Sequence, residues 1–227
     1  MSCLARCVFA LEACGTDRAA VCVSVVPAQA AASAVAGPRV FLLSGWGALP
    51  DAEFLYFPQL SARLRASGAT IFPSRHACSD GDIARHVGNL AALVEEAGGL
   101  GPDCFFVGQS IGGQIIARYL ASRPAGARAG GAVWIGAWLS LRIDMGEAMK
   151  PWLDAATLDF AALATACPRF LALYSTDDPI SGAATPADLG AAFPAARVRV
   201  ASGRGHYIVQ ELTAEELAAI DGVVLPA

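Results

Sequence analysis

From Arg39 onward, short uninterrupted apolar runs alternate with stretches whose apolar residues recur every three or four positions. The runs read as strands, at Val40 to Ser44, Thr70 to Pro73, Cys104 to Val107, Ala132 to Ala137, Phe170 to Ser175 and Arg197 to Val200. The 3.6-residue spacing predicts helices over Phe57 to Ala66, Asp80 to Ala97, Ile111 to Ser122 and Thr213 to Asp221. Asp80 is the expected N-cap of the second helix, and Gly98-Gly99 its stop. Strands without polar alternation, separated by helices, predict an α/β fold: a mostly parallel, doubly wound sheet covered on both faces.

Residues 1–37 differ in pattern. Leu4 to Ala13 and Ala20 to Val26 read as two short strands around a turn at Gly15-Thr16-Asp17-Arg18, so a β-hairpin is expected. The competing reading is an organellar targeting peptide, favoured by Arg6, Arg18 and many alanines and opposed by Glu12 and Asp17. The organisation expected is an N-terminal extension over 1–38 and one α/β domain over 39–227.

Composition narrows the function classes. The 227 residues include 55% hydrophobic and 16% charged positions, which excludes a disordered chain. A net charge of −4, without a block of Lys and Arg, disfavours nucleic-acid binding. Mean hydropathy is +0.49, and residues 19–38 carry no charge. Pro27, Gln29, Ser24 and Ser33 interrupt that run, so no membrane span is expected. Seven cysteines, odd in number and without a CxxC, read as reduced thiols rather than a disulfide framework or zinc site. A cytoplasmic location is expected, with organellar targeting by residues 1–37 as the alternative. No metal or cofactor is called for.

The chemistry concentrates at Gly108-Gln109-Ser110-Ile111-Gly112, a G-x-S-x-G pattern with a strand before it and a helix after. A tight strand-to-helix turn lifts a serine hydroxyl above the sheet edge, and Gly108 and Gly112 give the room such an elbow needs. A serine hydroxyl requires a general base. Of three histidines, His206 alone follows a late strand in the order Ser, Asp, His; His76 precedes Ser110, and His86 beside Arg85 reads as a solvated helix position. The acid expected after the fifth strand is Asp177 or Asp178. Pro179 fixes the chain after Asp178, which favours Asp178 and leaves Asp177 as a turn residue. Backbone N–H groups of Ile111 and Trp46 are the candidate oxyanion donors. About thirty residues, Leu139 to Pro168, are available as a short helical cover, and Met149, Trp152 and Gln109 are candidate pocket residues.

With these residues the chain resembles the α/β-hydrolase superfamily. It looks most like the small serine hydrolases of the retinoblastoma-binding protein 9 type. The resemblance rests on Val40–Gly47, Val107–Gly112, Ser175–Pro179, Gly205-His206-Tyr207 and the Lys150-Pro151-Trp152 segment. It implies a triad of Ser110, Asp178 and His206. Family members usually have His where this chain has Gln109, and they usually begin near Val40, so the extension finds no counterpart there. The implied activity is serine hydrolysis of a small ester, thioester or amide. The implied partner is a small acyl-containing substrate, in a monomer or weak dimer.

Two other readings compete. Gly45-Trp46-Gly47 begins a dinucleotide-binding G-x-G-x-x-G, but Pro50 stands at the last glycine and no acid closes Thr70 to Pro73. A non-catalytic interaction protein on the same fold is the other.

Overall fold

Six strands pair into one sheet: the four inner ones are mostly apolar and buried along their whole length, while the two at the edges are half-buried or exposed. The computed structural model describes residues 37–50, 55–154 and 158–225, so the hairpin expected within residues 4–26 lies outside the described residues. The strands are β1 (Arg39–Leu43), β2 (Thr70–Pro73), β3 (Cys104–Gln109), β4 (Gly131–Ile135), β5 (Phe170–Ser175) and β6 (Arg197–Ala201). Every pairing among them is parallel, in the order β2-β1-β3-β4-β5-β6.

Alternate residues feed two cores. Val40, Leu42, Phe105, Val107, Val133, Ile135, Leu171 and Leu173 face one side, against helices α1 (Phe57–Ala66) and α7 (Ala214–Val224). Phe41, Phe106, Trp134, Phe170 and Tyr174 face the other. There they meet α2 (Ile83–Glu96), α3 (Ile111–Ala121), α5 (Phe160–Ala166) and α6 (Thr185–Ala192). Between β4 and α5, a single 3₁₀ turn (Glu147–Met149) and α4 (Lys150–Leu153) form the short helical cover.

The chain leaves β1 toward β2 and returns on the opposite side to β3. Where the winding reverses, a crevice opens outside the carboxyl ends of β1 and β3. The segment after β1, Ser44–Gly47, and the turn after β3 both border it.

Three expectations need correction. Asp82, not Asp80, caps α2: its carboxylate accepts from the Arg85 N–H, 3.0 Å. Asp80 accepts from the Arg85 side chain instead and lies 3.0 Å from His86 Nε2. His86 is buried, sharing a face of α2 with Leu90, Leu93 and Val94. Finally, α6 lay in a segment with no expected element. Pro186 sits in its first turn, where a missing N–H costs nothing, and Gly190 weakens the helical signal without breaking the helix.

The last helix is tied to the loop after β6. Thr213 Oγ1 accepts from the Glu216 N–H (3.2 Å), and Glu216 Oε2 accepts from the Thr213 N–H (2.8 Å), a reciprocal capping box. The same Glu216 carboxylate takes Arg204 Nη2 at 3.0 Å. Replacing Thr213→Ala is expected to cost about 1 kcal/mol of stability. Urea unfolding checks this: the midpoint falls while the slope stays unchanged.

Candidate active site

The site begins with a backbone constraint. Ser110 joins β3 to α3 with φ 53° and ψ −120°, a conformation costing on the order of 1–3 kcal/mol for a residue with a side chain. Its N–H donates to Ile135 C=O across β4 (2.9 Å), and its C=O accepts from Gly113 N–H (3.1 Å). The two glycines of the pattern serve close approach. A Cβ on Gly108 would lie 2.5 Å from Gly113 N, and one on Gly112 would lie 2.6 Å from Leu43 O. Real side chains do not fit at such distances, so helix and strand can meet this tightly only with glycine there.

The histidine arrives on a loop of left-handed residues. Gly205 (φ 53°) and Tyr207 (φ 55°) flank His206. The Asp177 carboxylate gathers the N–H groups of Gly203 (2.9 Å), Arg204 (3.2 Å) and Gly205 (3.3 Å) and also accepts from Ser175 Oγ. Those contacts hold the Asp177 carboxyl below its ordinary range, the Ser175 hydroxyl most of all. Tyr207 anchors the other side, its ring buried in the core beside α7.

Ser110, His206 and Asp178 meet in line. His206 Nε2 is 2.8 Å from Ser110 Oγ, and His206 Nδ1 is 2.8 Å from Asp178 Oδ2. All three are at least nine-tenths buried. Asp178 Oδ1 accepts from the N–H groups of Ile180 (2.8 Å) and Ser181 (2.9 Å). Burial pushes the Asp178 carboxyl up, but the hydrogen bonds from His206, Ser181 and Ile180 outweigh it and hold the group below its ordinary range. An ionised Asp178 can only accept, so Nδ1–H donates to it. That tautomer leaves Nε2 free to accept from the serine hydroxyl.

A cavity of about 260 Å³ opens over Ser110. Leu55, Trp138, Met145, Met149, Ile180 and Ile208 give it an apolar wall, and Trp46, Gln109 and His206 line it as well. Ile111 opens α3, so its N–H belongs to the first turn, which has no intrahelical acceptor. Trp46 lines the cavity while the next N–H, on Gly47, is taken by Cys78 C=O at 2.7 Å. Trp152 lies outside the wall. Its indole N–H donates to Asp80 C=O (3.0 Å), and its C=O accepts from Arg118 Nη2 (3.2 Å). Burial lowers the Arg118 guanidinium to about 10, which the charge of Asp154 partly opposes. A second cavity of about 180 Å³ lies on the far side of Asp178, lined by Arg142, Tyr174 and Thr176, and reaches neither Ser110 nor His206.

Sequence reasoning did not reach Leu55, Trp138, Ile180 and Ile208. Each sits just beyond a strand's carboxyl end or in the turn leading to α1, so strand order was the only signal. Among the described residues, no group of three or more His, Cys, Asp or Glu is positioned to hold a metal ion. No helix among them is long and apolar enough to cross a membrane.

No family model matches the sequence, and no curated protein matches it. Solved structures do match. The ydeN gene product of B. subtilis aligns with a TM-score of 0.67 at 19% identity, covering 82% of this chain and 98% of that one. The esterase RhEst1 from Rhodococcus sp. aligns at 0.57 and 17%, covering 84% and 91%. SOBER1 of Arabidopsis thaliana aligns at 0.56 and 15%, covering 83% and 98%. The chain has the α/β-hydrolase fold.

The Asp177 contacts predict a local effect. In Asp177→Ala, amide hydrogen exchange at Gly203, Arg204 and Gly205 is expected to rise about tenfold or more while the exchange of β3 and β4 stays unchanged. Exchange followed by NMR or mass spectrometry checks this.

Proposed function

We propose that the chain is a serine hydrolase cleaving a small ester, thioester or amide through an acyl-enzyme on Ser110. The observation that carries the reading is the pair of 2.8 Å contacts linking Ser110 Oγ, the His206 ring and Asp178. A fold shared with proteins described as an esterase and as a ydeN-like hydrolase supports it. So does the resemblance of Val107–Gly112 and Gly205-His206-Tyr207 to motifs of the retinoblastoma-binding protein 9 family.

In this mechanism Ser110 Oγ attacks the substrate carbonyl carbon while its proton passes to His206 Nε2. Asp178 keeps the ring in the competent tautomer and stabilises the imidazolium. Charge developing on the carbonyl oxygen is received by the N–H groups of Ile111 and Trp46, with the α3 N-terminus adding a favourable dipole. His206 then returns the proton to the departing alcohol, thiol or amine. A water deprotonated by the same nitrogen releases the acyl group. The strained backbone at Ser110 keeps the hydroxyl aimed at the substrate, so little reorganisation is needed during reaction.

Substrate size follows from the wall. At about 260 Å³ the cavity lies just below the usual range for drug-sized ligands, roughly 300–1,000 Å³, and its lining is mostly apolar. A modest, apolar acyl compound fits.

A fluorophosphonate probe is expected to label Ser110, and Ser110→Ala is expected to abolish labelling. His206→Ala should fold normally and lose about 10⁴- to 10⁶-fold in kcat. Labelling at another residue, or near-normal turnover by His206→Ala, overturns the reading.

A further inference from the structure

Gln109 is the last residue of β3 and is buried at the edge of the cavity. Its side chain spans the site. On one side, Nε2 donates to the C=O of His206 at 3.2 Å. On the other, Oε1 presses against Gly45: a Cβ on that glycine would come under 3.0 Å from Oε1 and 3.2 Å from Cδ. The next atom such a Cβ would meet is Ser110 Cβ, at 3.6 Å, an ordinary contact. Gly45 is also absent from the residues with left-handed φ. Its backbone therefore suits a residue with a Cβ, and the first atoms such a Cβ would meet belong to the Gln109 carboxamide.

Two segments that must be held relative to Ser110 thus touch the same amide. The His206 loop is fixed through its N–H groups by Asp177, and Gln109 fixes it through a carbonyl. The Ser44–Gly47 segment, which carries the Trp46 N–H, abuts Gln109 at Gly45. Because Gln109 precedes Ser110 directly, the strut is rooted in the same turn as the hydroxyl it serves.

We infer that Gln109 is a positioning residue that sets the His206 ring and the Trp46 N–H in register with Ser110, and that Gly45 is glycine to admit it. This role rests on the hydrolase reading. It predicts a change in the chemical step rather than in binding, because Gln109 acts on the groups that meet the transition state. It also predicts that residues 45 and 109 are energetically coupled.

The test uses Gln109→Met, Gln109→Ala, Gly45→Ala and the double variant Gly45→Ala/Gln109→Ala, read by p-nitrophenyl acetate hydrolysis, fluorophosphonate labelling rate and thermal melting. Gln109→Met keeps the volume and removes the hydrogen bond. Its kcat and labelling rate are expected to fall about 10- to 100-fold, with KM within about twofold. Gly45→Ala alone is expected to lose more activity and to melt lower. In the double variant, shortening Gln109 removes the clash, so activity and melting temperature recover to those of Gln109→Ala. Losses that multiply in the double variant, or a Gln109→Met enzyme with the parent kcat, overturn the role while the hydrolase reading stands. A parent chain that the probe does not label overturns both.

Discussion

Backbone meeting backbone at the Ser110 turn is the constraint on which the site depends. A strand running straight into a helix must turn sharply. It can do so only if Gly108 and Gly112 carry nothing that collides with the Gly113 amide and the Leu43 carbonyl. The strain stored at Ser110 is held in place by its surroundings. β3 lies between β1 and β4, and α3 is buried along nearly its whole length. Ser110 therefore sits between an inner strand and a buried helix, at the point where the sheet winding reverses and a crevice must open.

His206 and Asp178 stand on less regular chain, after β6 and β5. Asp177 is exposed and gathers three backbone N–H groups of the loop before His206, whereas Asp178 is buried and meets the ring itself. One acid binds the loop backbone and the next the imidazole. The cover is likewise pinned: Trp152 is bonded at both its indole and its carbonyl, and Gly81 packs against Ala148 and Pro151. Met145 and Met149 reach the cavity from this fixed cover.

Much of this was legible in the sequence, for identifiable reasons. α1, β2 and β5 have the bounds the pattern predicts, because their apolar runs end at clear breaks such as Gly68 and the polar segment after Ser175. Ser110, Asp178 and His206 could be named because each directly follows or closely trails a strand, and parallel strands bring their ends to one edge. Other features needed three dimensions. The burial of His86 was in fact written in the spacing of Leu90, Leu93 and Val94, but the neighbouring Arg85 pointed to solvent. Trp152 carried a pocket-like signature yet packs away from the cavity. The part played by Asp177 depends on a loop brought to it across β5 and β6, and no local pattern records that.

The most direct measurement traps the first intermediate. The chain is mixed with p-nitrophenyl acetate, quenched within milliseconds and digested, and the acetyl group is located by peptide mass spectrometry. Acetyl on Ser110, appearing with a burst of nitrophenol close to one equivalent and absent in His206→Ala, is the result this account predicts. Turnover with no acetylated peptide, or acetyl carried by a different residue, would contradict it.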